Sequence, residues 1–121
     1  MIFGMSTSLR AADDAAAKNI DASEAYRLVT STVAVIVLDV RTPEEFTAGH
    51  IAGAKNLNFY DSGFAKKLEA LDKDRPYLVH CAVGGRSAKA RRLMQTLKFK
   101  TIYHLEGGMK AWEKAGKPVK R

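Results

Sequence analysis

Two short apolar runs constrain this chain most. Val33-Ala34-Val35-Ile36-Val37-Leu38 and Pro76-Tyr77-Leu78-Val79-His80 are rich in β-branched and apolar residues and lack the alternation of a half-exposed strand. Strands read this way when both of their faces are covered, as in a parallel sheet with helices on either side. Helix signals fall between and around the runs. Asp21-Ala22-Ser23-Glu24 has the spacing of a capping box and predicts a helix to about Val29. Thr42 before Pro43-Glu44-Glu45 predicts another, with Thr42 as cap, proline in the first turn and carboxylates near the positive end of the helix dipole. Phe64, Leu68 and Leu71 share one helical face, as do Ala90, Leu93, Met94 and Leu97 within a basic helix from Ser87 to Leu97. A short strand is expected around Ala54–Leu57, a last one over Thr101–Leu105, and a short helix over Met109–Lys114. Strands alternating with helices predict an α/β fold with a central, mainly parallel sheet flanked by helices on both faces.

Size allows little else. The 121 residues suffice for one hydrophobic core and not for two ordinary domains. With 46% hydrophobic and 27% charged residues the chain is of globular type, neither disordered nor built to span a bilayer. Its longest apolar run is far below the ~20 residues of a membrane-crossing helix. Residues 1–18 read as a fraying, Ala-rich leader, 19–118 as the domain, and 119–121 as a basic tail. The first residues lack the basic and apolar regions of an intact signal peptide, so a cytoplasmic location is expected. A chain from which a leader had been removed would read the same, which leaves a periplasmic or other exported location open. A monomer is expected.

Charge is lopsided. From Arg86 onward eleven Lys/Arg face only Glu106 and Glu113, whereas the first 85 residues carry a small acidic excess. A basic half suits an anionic substrate or an acidic partner, and equally an ordinary solvated face. No aromatic strip accompanies the basic residues, which disfavours nucleic acid as a partner. Nothing points to a membrane partner.

The residues that carry chemistry lie just after the second apolar run. One cysteine, Cys81, rules out an intramolecular disulfide and a multi-cysteine metal site. A lone cysteine is usually inert and buried, so its neighbours decide. They are Ala82-Val83-Gly84-Gly85-Arg86-Ser87, at a strand-to-helix junction. Gly84 and Gly85 allow the backbone to curl and turn its N–H groups toward the sulfur, with a helix N-terminus beneath. Such surroundings favour a thiolate and hold the thiol below its free pKa of ~8.5. Arg86 adds a permanent cation with the fork geometry to hold an oxyanion. Ligands of open α/β sheets bind beyond the carboxyl ends of strands, where both Cys81 and Asp39-Val40-Arg41 fall. Asp39 and Arg41 read as ion-pairing braces rather than proton carriers. His50 reads as a hydrogen-bonding turn residue, His104 as structural, and Trp112 and Phe46 as core. His80 precedes Cys81 but points to the other face of a regular strand.

Leu38-Asp39-Val40-Arg41, Pro43-Glu44-Glu45-Phe46, Gly49-His50-Ile51-Ala52-Gly53-Ala54, Cys81 to Ser87, and Leu105-Glu106-Gly107-Gly108-Met109-Lys110-Ala111-Trp112 resemble the successive signatures of the rhodanese domain, in the family's order. The resemblance runs from about Asn19 to Pro118. Ala52 departs from it, since the family usually has proline there. It implies a single rhodanese-like domain acting as a sulfurtransferase, with Cys81 as nucleophile and the loop to Arg86 as active-site loop. The expected chemistry takes a sulfane sulfur from a small anionic donor such as thiosulfate. A Cys81 persulfide passes it to cyanide, a thiol or a protein cysteine. Ala82, Val83, Gly84, Gly85 and Arg86 would hold donor and persulfide, and Lys89 would help attract the donor. No metal or organic cofactor is expected.

Loop length separates this reading from a cysteine phosphatase or arsenate reductase of the same fold. Those relatives resemble Cys-x5-Arg, whereas four residues separate Cys81 from Arg86 here. No Asp or Glu nearby in sequence offers a proton to a leaving alcohol. A non-catalytic binding or sulfur-relay module is the remaining alternative, against which the nucleophile is present.

Overall fold

The computed structural model describes residues 17–31 and 34–121. Five strands form one sheet in the order β1-β5-β4-β2-β3, and every pairing is parallel. They are β1 (Ala17–Ile20), β2 (Ile36–Asp39), β3 (Lys55–Asn56), β4 (Pro76–His80) and β5 (Thr101–Leu105). The crossovers are helical: α1 (Ala22–Thr30), α2 (Pro43–Ala48), α3 (Phe64–Glu69) and α4 (Gly85–Thr96), with α5 (Gly108–Lys114) after the last strand. Among the described residues no helix is long and apolar enough to cross a membrane.

Both faces of the sheet are covered, as the unbroken apolar runs require. On one face Leu38, Tyr77, Val79 and Ile102 pack with Phe64 and Leu68 of α3 and Ala90 and Met94 of α4. On the other, Val37, Leu78 and Leu105 pack with Ala22 and Ala25 of α1 and Met109 and Trp112 of α5. The period-two alternation along β4 sends neighbours to opposite cores. Each large side chain buried in this way contributes roughly 1.5–3 kcal/mol.

Several boundaries differ from the sequence expectation. β2 starts at Ile36, and Val33, the first residue of the expected run, lies outside the described residues. β1 was not expected at all: Ala17 and Lys18 fall within the stretch read as leader, yet they pair with Ile102 and Tyr103. This edge strand buries only Ile20. Its polar residues have no apolar pattern to announce it, and the ladder offered by β5 organises it. The rest of the stretch read as leader, residues 1–16, lies outside the described residues. The basic tail is tied down, because Lys120 exchanges two backbone hydrogen bonds with His50, at 2.8 and 2.7 Å. Phe46 is half-buried rather than core, its ring stacked on His50 with centroids 3.9 Å apart. Trp112 is core, and its indole donates to the Pro118 carbonyl at 2.7 Å.

Candidate active site

The strand order places a reversal of direction between β2 and β4. From β2 the chain moves on to β3 at one edge, and from β4 it moves the opposite way to β5. In open α/β sheets the loops leaving adjacent strands at such a reversal part to opposite sides, and ligands bind at their carboxyl ends. Asp39 ends β2, and Cys81 follows β4 directly.

Cys81 is buried, and its sulfur faces the loop that leads into α4. Gly84 N–H donates to Sγ at 3.1 Å, and Ser87 Oγ lies 3.3 Å from the same atom. Burial pushes the thiol up. Hydrogen bonding from the Ser87 side chain, when its hydroxyl is turned to Sγ, and from the backbone N–H groups of Ser87, Gly84 and Val83 outweighs it, leaving the thiol below its ordinary value. The groups that meet the sulfur differ from the loop set expected to hold donor and persulfide. Val83, Gly84 and Ser87 supply them, whereas the N–H groups of Ala82, Gly85 and Arg86 are not among those on the sulfur.

The two glycines are also unequal. Gly84 has φ +120, a backbone that side chains rarely adopt, whereas Gly85 is an ordinary first helical residue with open space around it. A third glycine matters more. Gly108, with φ +59, lies so close to the loop that a Cβ there would stand 2.4 Å from the Cys81 carbonyl oxygen and 2.7 Å from Ala82. This approach lets Met109 and Lys110 N–H groups donate to the carbonyls of Cys81 and Ala82, at 2.8 and 3.0 Å. The start of α5 thus clamps the loop from behind.

Arg86 does not present a free fork to the sulfur's surroundings. Its two terminal nitrogens grip Glu45 at 2.7 and 3.0 Å, and its guanidinium lies over the Tyr60 ring. Glu45 is also the reciprocal partner of Thr42 in the capping box of α2. The Arg86 hydrogen bonds come first among the causes that hold its carboxyl at about 2. Sequence reasoning missed this residue because its 41-residue separation from Arg86 leaves no local trace. An acidic group therefore does stand near the loop, yet it is kept as a carboxylate and is no proton donor.

The remaining site candidates brace the site. Asp39 and Arg41 form a buried ion pair at 2.7 Å, and Arg41 also donates to the Gly49 carbonyl. Asn56 donates to both of their carbonyls, at 3.0 and 2.9 Å, tying β3 to the end of β2. His80 is fully buried on the face opposite the Cys81 loop, with Nε2 3.7 Å from Asp39, and burial pushes its pKa down. Lys89 is exposed on α4, outside the cradle. His50 Nδ1 lies 2.9 Å from the Phe46 carbonyl, as suits a turn residue. His104, read as structural, lies 2.8 Å from the Ser87 hydroxyl.

Comparison with known proteins agrees with this architecture. Residues 21–115 match the model of the rhodanese-like domain. The chain is 38% identical over 93 residues to Thiosulfate sulfurtransferase 16, chloroplastic, of Arabidopsis thaliana, covering 69% of this chain and 78% of that one. It is 36% identical over 87 residues to the Thiosulfate sulfurtransferase GlpE of Shewanella oneidensis, covering 72% and 84%. A crystal structure of a rhodanese-related protein from Thermoplasma volcanium superposes with TM-score 0.76 at 36% identity, covering 85% and 97%. A parallel sheet with its cysteine at the reversal point, the clamped loop after β4 and the match over residues 21–115 converge on one assignment: the chain belongs to the rhodanese-like domain family.

Proposed function

We propose that the protein is a sulfurtransferase in which Cys81 carries one sulfur as a persulfide. The observation that carries this reading is a thiol at the sheet's reversal point whose sulfur is met by loop N–H groups, with its pKa drawn down. Relatives named as thiosulfate sulfurtransferases support the donor class. In the first step the Cys81 thiolate attacks the outer sulfur of thiosulfate, the S–S bond of the donor breaks, and sulfite departs with the electron pair. Three negative charges enter this step and three leave it. The N–H groups of Val83, Gly84 and Ser87 face the anionic sulfur throughout. In the second step cyanide, a thiolate or a protein cysteine takes the sulfane sulfur and releases Cys81 as thiolate.

Arg86 serves this chemistry mainly as an anchor. Its bond to Glu45 pins the loop to α2 and leaves its remaining N–H groups to meet an anionic donor. Asp39 and Arg41 hold the facing loop in place, and Lys89 adds to the basic excess without touching the sulfur. The reading is tested by mass spectrometry after incubation with thiosulfate. The native chain should gain one sulfur that reductant removes, and Cys81→Ser should gain none. Sulfur transfer that persists in Cys81→Ser overturns the mechanism.

A further inference from the structure

A line of polar groups runs back from the sulfur: Cys81 Sγ, Ser87 Oγ at 3.3 Å, His104 Nε2 at 2.8 Å from that oxygen, and Asn19 Oδ1 3.1 Å from His104 Nδ1. Arg91 closes it by donating to the same Asn19 oxygen at 3.0 Å. The direction of every hydrogen in this line follows from the residue types. Arginine only donates, so the oxygen of the Asn19 amide, not its nitrogen, faces Arg91. That oxygen cannot donate to His104, so His104 Nδ1 must carry the proton. Burial first, and Arg91 and His80 after it, push the His104 pKa to about 4, so the ring is neutral at ordinary pH and Nε2 is a bare acceptor. Ser87 has a single hydroxyl proton, and the nearest acceptor for it is that Nε2, closer than Sγ or the Gly84 carbonyl, both at 3.3 Å.

Building on the reading of Cys81 as nucleophile, we infer that His104 is a positioning residue that draws the Ser87 hydroxyl proton away from Cys81 Sγ, so that the sulfur anion rests on backbone N–H groups alone. Ser87 then turns lone pairs toward the sulfur and accepts from the S–H of the resting thiol. One withheld donor leaves the thiolate more basic than its cradle would otherwise make it. A more basic thiolate is also the stronger nucleophile toward a sulfane sulfur, and a thiol with a pKa near ambient pH attacks fastest. The second-row line through Asn19 and Arg91 thereby sets a balance between thiolate fraction and reactivity. β1, the strand that carries Asn19, takes part in that chemistry through its edge pairing to β5.

Two readouts test the inference without using sulfur transfer, so it and the proposed function can fail separately. The first is the His104 tautomer, read from proton–nitrogen correlation spectra of histidine-labelled native protein at neutral pH. The Nδ1–H form is expected, and an Nε2–H form overturns the proposal, because that ring would donate to Ser87. The second is the pH profile of Cys81 alkylation between pH 5 and 9. The charged and titratable groups around the line are Arg91 and His80 on His104, and Arg86, paired to Glu45, on the sulfur. Arginine does not titrate in that window, Glu45 is held at about 2, and alkylation consumes the thiolate itself, so the profile reports Cys81. Ser87→Ala should leave the midpoint within about 0.3 unit of native. His104→Leu should lower it by about one unit, because the freed hydroxyl then donates to the anion. The Ser87→Ala/His104→Leu double variant should return it to near native. A midpoint raised by a unit in Ser87→Ala, or unchanged or raised in His104→Leu, overturns the proposal. If His104→Leu does not fold, Ser87→Ala and the tautomer still decide it.

Discussion

Adding one methyl group at Gly108 should damage the candidate site more than adding one at either glycine of the loop after β4. At Gly108 two costs combine. An L-residue at φ +59 loses about 1–2 kcal/mol to contact with its own backbone. The new Cβ would also stand 2.4 Å from the Cys81 carbonyl oxygen and 2.7 Å from Ala82, and these are backbone atoms that cannot swing aside. Relieving such a clash costs about 1–3 kcal/mol and moves the loop. Gly108→Ala should therefore lose about 2–5 kcal/mol in urea unfolding, which at about 4 °C per kcal/mol for a chain of this size lowers Tm by roughly 8–20 °C. The displaced carbonyls of Cys81 and Ala82 carry the N–H groups of the cradle with them, so the rate of sulfur loading should fall about tenfold to a hundredfold even where the protein remains folded. Gly84→Ala meets nothing within 4 Å and suffers only from φ +120, about 1–3 kcal/mol. Gly85→Ala, with open space and no positive φ, should be neutral or stabilising by up to about 1 kcal/mol. Gly108→Ala matching native stability and loading rate, or Gly85→Ala proving as harmful as Gly84→Ala, would refute the reasoning.

Acid should weaken the fold in two windows. His104 binds a proton more readily unfolded than folded, so its contribution is present above pH 6.5 and is lost as pH falls toward about 4; His104→Asn should flatten stability against pH there. Glu45 behaves likewise lower down, its contribution present above about 4.5 and lost on approach to about 2, and Glu45→Gln should remove that slope from acid unfolding curves. Sulfur loading from dianionic thiosulfate should slow as salt rises, mainly through kcat/KM, whereas a flat profile would confine the basic half of the chain to solubility or docking. Arg86→Ala should free Glu45 and loosen the loop, so that loading falls even for uncharged persulfide donors; a loss restricted to anionic donors would show that Arg86 acts by charge alone.

The sequence by itself determined the kind of sheet and singled out the candidate nucleophile. Val35 to Leu38 and Tyr77 to Val79 are apolar without alternation, and only a strand covered on both faces tolerates that, so a parallel sheet with helices on each side followed from local pattern alone. Thr42, Pro43 and Glu45 set the start of α2 through backbone groups a few residues away, and such short-range chemistry is written in adjacent letters. Cys81 stood out for the same reason, as the lone thiol at a strand-to-helix junction rich in glycine. What only the tertiary structure decided depends on residues far apart in the chain. The pairing of Arg86 with Glu45 changes Arg86 from a free oxyanion fork into an anchor. The need for glycine at position 108 comes from the carbonyl of Cys81, and β1 forms because β5 offers an open edge. His104 reads as structural until the fold sets its ring against Ser87 and Asn19. Each of these turns on one atom being within about 3 Å of another across a fold boundary, and residue order holds no record of such distances until packing and strand register have fixed them.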